Sequence, residues 1–101
     1  MRATCKRKGD TMTVSLSGEL DQHGAAAVQD KLKACAEDEA VKKLVVDMSK
    51  VVFMDSSGIG ALLGRYRTMS EKKGSMVLKN PSDQINKLLR MAGMAKLVEK
   101  N

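Results

Sequence analysis

Aromatic residues are almost missing from this sequence, which has one Tyr, one Phe and no Trp among its 101 residues. Bases and sugars bind proteins largely by stacking on aromatic rings, so a platform for single-stranded nucleic acid is not expected. The chain carries 18 Lys and Arg against 12 Asp and Glu, a formal net charge of +6. This charge favours acidic partners through long-range attraction. Because no helix-turn-helix motif accompanies the basic residues, we expect them to lie on solvated faces without direct nucleic-acid contact.

Long hydrophobic runs are also missing. No run reaches the ~18 residues that a membrane-spanning helix needs, and no apolar segment follows the first charged residues as in a secretion signal. We therefore expect a cytoplasmic protein without membrane contact. Cys5 and Cys35 fit neither a CxxC motif nor a metal-ligand spacing, which favours reduced thiols. His23 is the single histidine and is placed in a loop near the first helix, so no catalytic residue, cofactor or metal site is predicted.

The hydrophobic pattern predicts one domain, residues 1–101, that begins with a hairpin. Met12, Val14 and Leu16 alternate with polar residues, which indicates a half-buried strand, and Gly9 before it allows residues 3–8 to pair antiparallel at a sheet edge. A first helix is predicted over 24–37 and a central strand over 44–48. Further along, we predict a second helix ending at Gly74, a strand over 76–78, a third helix capped at 80–81, and a short strand over 96–98.

This order of elements predicts the α/β class. The expected architecture is a small mixed, mostly parallel sheet with an N-terminal β-hairpin and with helices packed on it. Met54, Met69, Met91 and Met94 are interpreted as flexible core residues, and this is favoured over the alternative that Met54 or Met94 is exposed as an adaptable contact surface. Asp47 follows an apolar strand, as in an aspartyl phosphoacceptor, but no acidic pair near the N-terminal strand could help to hold Mg²⁺. A strand-terminal, solvated or capping Asp47 is therefore favoured.

The junction between the central strand and the second helix, V-V-F-M-D-S-S-G-I-G at 51–60, holds most of the chemical information. Asp55, Ser56 and Ser57 can all cap a helix, and a plain N-cap is one interpretation. Gly58 and Gly60 each cost the first helical turn about 0.5–1 kcal/mol relative to alanine, which suggests a backbone left open to a partner. Since partners dock at the carboxyl ends of strands in α/β sheets, one serine is expected to cap while the other faces outward.

Residues 53–60, together with L-G-R-Y-R at 63–67, resemble the anti-sigma factor antagonists of the STAS family, and the sporulation members most of all. The resemblance extends to L-S-G-E-L-D at 16–21 and M-A-G-M at 91–94, so it covers nearly the whole chain. It implies a STAS domain without catalysis that binds an anti-sigma factor serine kinase and thereby releases a sigma factor. It further implies that phosphorylation by that kinase inactivates the protein and that a serine phosphatase restores it.

Carried onto this sequence, the resemblance implies that Ser56 is the phosphorylated residue. It places the partner surface on the second helix and the preceding loop, with these further contacts: Asp21, Asp55, Ser57, Gly58 and Ile59. Longer members continue into a further helix where this sequence ends at Asn101, so coverage of that end of the sheet is expected to differ. The alternative is a STAS docking module of a stress-signalling or transport assembly that uses the same surface without phosphorylation.

Overall fold

The computed structural model describes residues 1–99, which form five strands, three α-helices and one short 3-10 helix. The strands are β1 (Arg2–Lys8), β2 (Thr11–Leu20), β3 (Lys43–Met54), β4 (Ser75–Lys79) and β5 (Val98–Glu99). The α-helices are α1 (Gln22–Glu37), α2 (Ser56–Glu71) and α3 (Asp83–Met91), and the 3-10 helix is Ala95–Leu97. None of these helices is long and apolar enough to cross a bilayer.

The five strands form one sheet in the order β1-β2-β3-β4-β5. The hairpin β1-β2 is antiparallel, and the three other pairs are parallel. Each parallel strand is therefore joined to its neighbour through a helix, and right-handed connections that advance in one direction place all such helices on the same face. This arrangement confirms the predicted α/β fold with its mixed, mostly parallel sheet and N-terminal hairpin.

Burial separates the two faces of the sheet. Val14, Val46 and Leu78 lie opposite one another on adjacent strands, and each is fully buried beneath the helices. The helices contribute further core side chains, namely Val28, Leu32, Leu62, Met69, Ile85 and Leu89. The residues between these buried positions, such as Ser15 and Asp47, face away from the core, because successive side chains of a strand point to opposite faces of the sheet. One sheet face is thus open and polar.

The central strand is longer than predicted. The prediction of 44–48 is wrong at its carboxyl end, because β3 continues to Met54. Two register shifts against β2, one of them between Gly18 and Glu19, insert extra residues into β3 and interrupt the period-two pattern. The extension matters for the site, because it carries the chain directly to Asp55.

Two predicted helix starts also need correction. The Ser82 hydroxyl accepts a hydrogen bond from the Ile85 N–H at 3.2 Å and caps α3, so the cap predicted at 80–81 is wrong. Asn80 instead adopts a left-handed conformation with φ of +55°, which turns the chain ahead of the helix. His23 lies in the first turn of α1, not in a loop, because Asp21 caps that helix.

Candidate functional site

Two helix N-termini lie side by side at the carboxyl edge of the sheet. Leu20 at the end of β2 pairs with Met54 at the end of β3, and each is followed by an aspartate that caps the next helix. The Asp21 carboxylate accepts a hydrogen bond from the Gly24 N–H at 2.8 Å. The Asp55 N–H donates a hydrogen bond to the Leu20 carbonyl at 3.4 Å, and this bond links the end of β3 to the end of β2.

Asp55, and neither serine, supplies the cap of α2. Its Oδ1 accepts hydrogen bonds from the Ser57 N–H at 2.9 Å and from the Gly58 N–H at 3.4 Å. The expectation that one serine caps the helix is therefore wrong, because the carboxylate already satisfies these two donors. Asp55 is consequently held in place by its hydrogen bonds to the backbone, and neither serine hydroxyl takes part in the cap.

Ser56 is the first residue of α2 and is exposed. Its hydroxyl has no hydrogen-bond partner within residues 1–99, whereas its neighbour Ser57 is half-buried. The free N–H groups and the positive end of the helix dipole lie beside it. The site thus presents an exposed hydroxyl in surroundings that tolerate an anion.

Gly58 and Gly60 have different reasons for being glycine. A Cβ on Gly58 would lie 2.5 Å from the Leu20 carbonyl oxygen and 2.6 Å from Met54 Cγ, so this buried glycine permits close packing of α2 on the sheet edge. The expected opening of the backbone to a partner is wrong for Gly58. At Gly60, and also at Gly64, an added Cβ would meet nothing within 4 Å, so the helix backbone is uncovered there.

A stripe without large side chains runs along α2. Ser56, Gly60 and Gly64 are spaced four residues apart and therefore share one face of the helix. Beside it, Ile59 and Leu63 are half-buried and pack against the edge of the core. This face allows another chain to approach the α2 backbone closely.

Sequence reasoning missed two exposed apolar side chains next to the motif. Val52 is 73% exposed and Phe53 is 47% exposed, immediately before the capping aspartate. Val52 lies at the second register shift, where β3 has one residue more than β2. The only signal in the sequence was an apolar run of four residues, 51–54, in which alternation fails. Met54, by contrast, is buried, as are Met69 and Met94, which confirms these three as core residues. Met91 is 77% exposed, so its interpretation as a core residue is wrong.

Arg65 and Tyr66 lie in the second half of α2, and Lys96 of the 3-10 helix lies beside them. The Lys96 ammonium lies 5.3 Å from the centre of the Tyr66 ring. Hydrogen bonds from Lys96 and Ser70, and the charge of Lys96, lower the pKa of Tyr66. Arg65 is half-buried, and its Nε has no hydrogen-bond partner among the described residues. The positive charges of Arg65 and Lys96 therefore lie close to this part of α2.

The remaining sequence candidates do not join the site. Asp47 lies within β3 on the open face, so the expected strand-terminal position is wrong. Its carboxylate accepts a hydrogen bond from the Ser49 N–H at 3.0 Å within the same strand. Across residues 1–99 there is no group of three or more His, Cys, Asp or Glu that could hold a metal ion. Near Ser56, the Asp55 Oδ1 accepts hydrogen bonds from backbone donors, and the carboxylate makes no hydrogen bond to the hydroxyl. The arrangement can present a hydroxyl for modification and a surface for binding.

Comparisons with known proteins agree with this geometry. The model of the STAS domain matches residues 2–100. An anti-sigma F factor antagonist of Paenibacillus polymyxa is 33% identical over 87 residues, which cover 86% of this chain and 74% of the relative. The solved structure of the anti-sigma factor antagonist SpoIIAA in its unphosphorylated form superposes with a TM-score of 0.88 at 28% identity, and covers 99% of this chain and 88% of that one. The phosphorylated form of the Bacillus cell fate determinant SpoIIAA gives a TM-score of 0.82 at 28% identity, with 99% and 91% covered.

Proposed function

Since this chain belongs to the STAS domain family, we propose that it is an anti-sigma factor antagonist that phosphorylation of Ser56 switches off. Its partner is an anti-sigma factor that is also a serine kinase, and a serine phosphatase reverses the modification. The observation that carries the proposal is that Ser56, the first residue of α2, is exposed and that its hydroxyl makes no hydrogen bond to the described part of the chain. The names of similar proteins, one of them solved in a phosphorylated form, support it.

Because Asp55 caps α2, phosphorylation of Ser56 should cost the fold little stability. A kinase needs a hydroxyl that is accessible and that breaks no native contact when it reacts. Because Asp55 holds the Ser57 and Gly58 N–H groups, esterification of Ser56 removes no capping hydrogen bond. The added phosphate carries about −1.5 to −2 charges and lies at a helix N-terminus, which stabilises anions. The fold should therefore survive phosphorylation.

The same phosphate is unfavourable in a complex. It adds negative charge next to Asp55 and Asp21, which cap the two adjacent helices. A partner that covers Ser56 would have to remove water from this group, and an unpaired charge in an interface costs several kcal/mol. Binding should therefore fail while the structure persists. Ser56 acts as a switch because the fold tolerates the phosphate and the interface does not.

The partner surface of this proposal extends from Ser56 along α2. Gly60 and Gly64 leave the helix backbone uncovered, so a partner can pack closely against it. Phe53, just before α2, adds an exposed apolar side chain to this surface. Ile59 is partly buried and marks the border between the surface and the core. Aromatic side chains are common in the energetically important centre of interfaces. We therefore place Phe53 and Gly60 in the contact region, with Asp21 at its rim.

The test is to incubate the chain with its cognate anti-sigma factor kinase and ATP and to map the phosphorylated residue by mass spectrometry. We expect phosphate on Ser56 in the wild type and in Ser57→Ala, and none in Ser56→Ala. The serine phosphatase of the same system should then remove it. Phosphate on Ser57 would refute the assignment. A chain that binds the kinase but accepts no phosphate would instead be a docking module with a fixed surface.

A further inference from the structure

The two cysteines of the chain are neighbours in space although they are 30 residues apart. Cys5 Sγ on β1 lies 3.5 Å from Cys35 Sγ on α1. Cys5 pairs with Val14, a core residue, so its side chain faces the helical side of the sheet. We propose that Cys5 and Cys35 form a reversible disulfide that joins β1 to α1 when the protein meets a peroxide.

Contacts on both sides keep the two thiols aligned. Every second residue of β1 contacts α1 or its C-cap residue, Asp38, at positions four and then three residues apart. These spacings match because each one spans roughly 4–7 Å along the strand or the helix. The three contacts are Ala3 with Lys31, Cys5 with Cys35 and Arg7 with Asp38. The Lys31 ammonium donates to the Ala3 carbonyl at 3.0 Å, and the Arg7 guanidinium lies 3.5 Å from the Asp38 carboxylate. The thiols are the middle contact of this β1–α1 seam.

Bond formation needs only a small movement. A disulfide has a sulfur–sulfur distance of about 2.05 Å, so the two atoms must approach by about 1.5 Å. Cys5 is exposed on an edge strand, and its side chain can move without disturbing the core. The seam therefore holds the pair close to bonding distance while both cysteines are free thiols.

The two thiols differ in reactivity. Burial, the hydrogen bond with Cys5 and the charges of Cys5 and Asp38 outweigh the opposing charge of Lys31 and raise the pKa of Cys35 to about 12, so it is a thiol at neutral pH. Exposed Cys5 reacts first: its thiolate attacks a peroxide oxygen, the O–O bond breaks, and Cys5 becomes a sulfenic acid as hydroxide leaves. The Cys35 sulfur then attacks the Cys5 sulfur, and its proton leaves with the displaced hydroxyl as water. Two electrons pass from the thiols to the peroxide.

The disulfide and Ser56 should operate separately. Cys35 lies fourteen residues beyond the Asp21 cap of α1, which is roughly 21 Å along the helix. Ser56 lies at the Asp21 end of the sheet. The bond should therefore stabilise the fold without covering the hydroxyl. Its failure to form would leave the proposed phosphorylation of Ser56 unaffected.

The test treats the whole reduced protein with a small excess of hydrogen peroxide. We expect a monomer whose mass is lower by two hydrogens, and a trypsin digest in which peptide 3–6 is joined to peptide 34–42. Closure of the loop between residues 5 and 35 should raise the Tm by roughly 10 °C, and dithiothreitol should reverse the shift. The matched variants Cys5→Ser and Cys35→Ala should show neither change.

Three results would overturn the proposal. Peroxide could join two chains through Cys5, or it could oxidise Cys5 to a sulfinic acid while Cys35 remains a thiol. Alternatively, the linked peptide could form with no difference in Tm between the oxidised and reduced protein. The first two would show that the thiols do not meet, and the third would show that the bond does not clamp β1 to α1.

Discussion

Replacing Gly58 with alanine is predicted to destabilise the protein, although alanine is the better helix former. The new methyl group would lie 2.5 Å from the Leu20 carbonyl oxygen and 2.6 Å from Met54 Cγ. The Met54 side chain can adjust, but the carbonyl oxygen is backbone and also accepts the Asp55 N–H. The N-terminus of α2 must therefore move away from β2. Overpacking of this kind costs about 1–3 kcal/mol, and alanine returns about 0.5–1 kcal/mol of helix propensity.

Gly60→Ala is the matched control, since an added methyl at that position meets nothing within 4 Å. This variant should gain about 0.5–1 kcal/mol, while Gly58→Ala should lose about 1–2 kcal/mol, or roughly 4–16 °C in Tm. Urea unfolding followed by circular dichroism measures both. Equal stability of the two variants would show that α2 does not pack against the end of β2 as described. If Gly60 lies in the partner surface, Gly60→Ala should also weaken kinase binding despite its greater stability.

Three further predictions concern capping and ionisation. Asp55→Ala should lower the free energy of unfolding by about 1 kcal/mol and Asp55→Asn by much less, because the asparagine oxygen can still accept the N–H groups; urea titration distinguishes them. Ser82→Ala should cost about 1 kcal/mol in the same assay and Ser57→Ala less than about 0.5 kcal/mol, because only Ser82 caps a helix. Burial raises the pKa of Cys35 from 9.0 to about 12, so its contribution to stability is complete below pH 9 and declines as the pH rises toward 12. Between pH 9 and 11 the wild type should therefore lose more free energy of unfolding than Cys35→Ala, and equal losses would contradict this.

The strands and helices were predictable where the spacing of apolar residues kept one period throughout the segment. Met12, Val14 and Leu16 indicate β2 because every second residue is apolar, and Leu62 and Met69 indicate the buried side of α2. The extent of β3 was not predictable by that rule. Its register shifts against β2 arise from strand pairing, which a pattern within one segment does not contain.

The site was predictable in position but not in detail. Three adjacent cap-forming residues after an apolar strand indicate a helix start, but they do not say that Asp55 makes the cap and leaves Ser56 free. Gly58 and Gly60 look equivalent in the sequence, and only the proximity of Leu20 distinguishes them. The meeting of Cys5 and Cys35 likewise depends on how α1 crosses β1, a tertiary relation that spacing along the chain cannot reveal.

Affinity for the anti-sigma factor kinase, compared between the unmodified chain and the chain phosphorylated at Ser56, tests most directly whether one hydroxyl controls binding. Calorimetry should give an affinity lower by about 100-fold or more for the phosphorylated chain, which corresponds to an unpaired charge in the interface. Circular dichroism of the same samples should show unchanged secondary structure, and Ser56→Asp should behave similarly. Undiminished affinity, or loss of the fold on phosphorylation, would contradict the proposed switch.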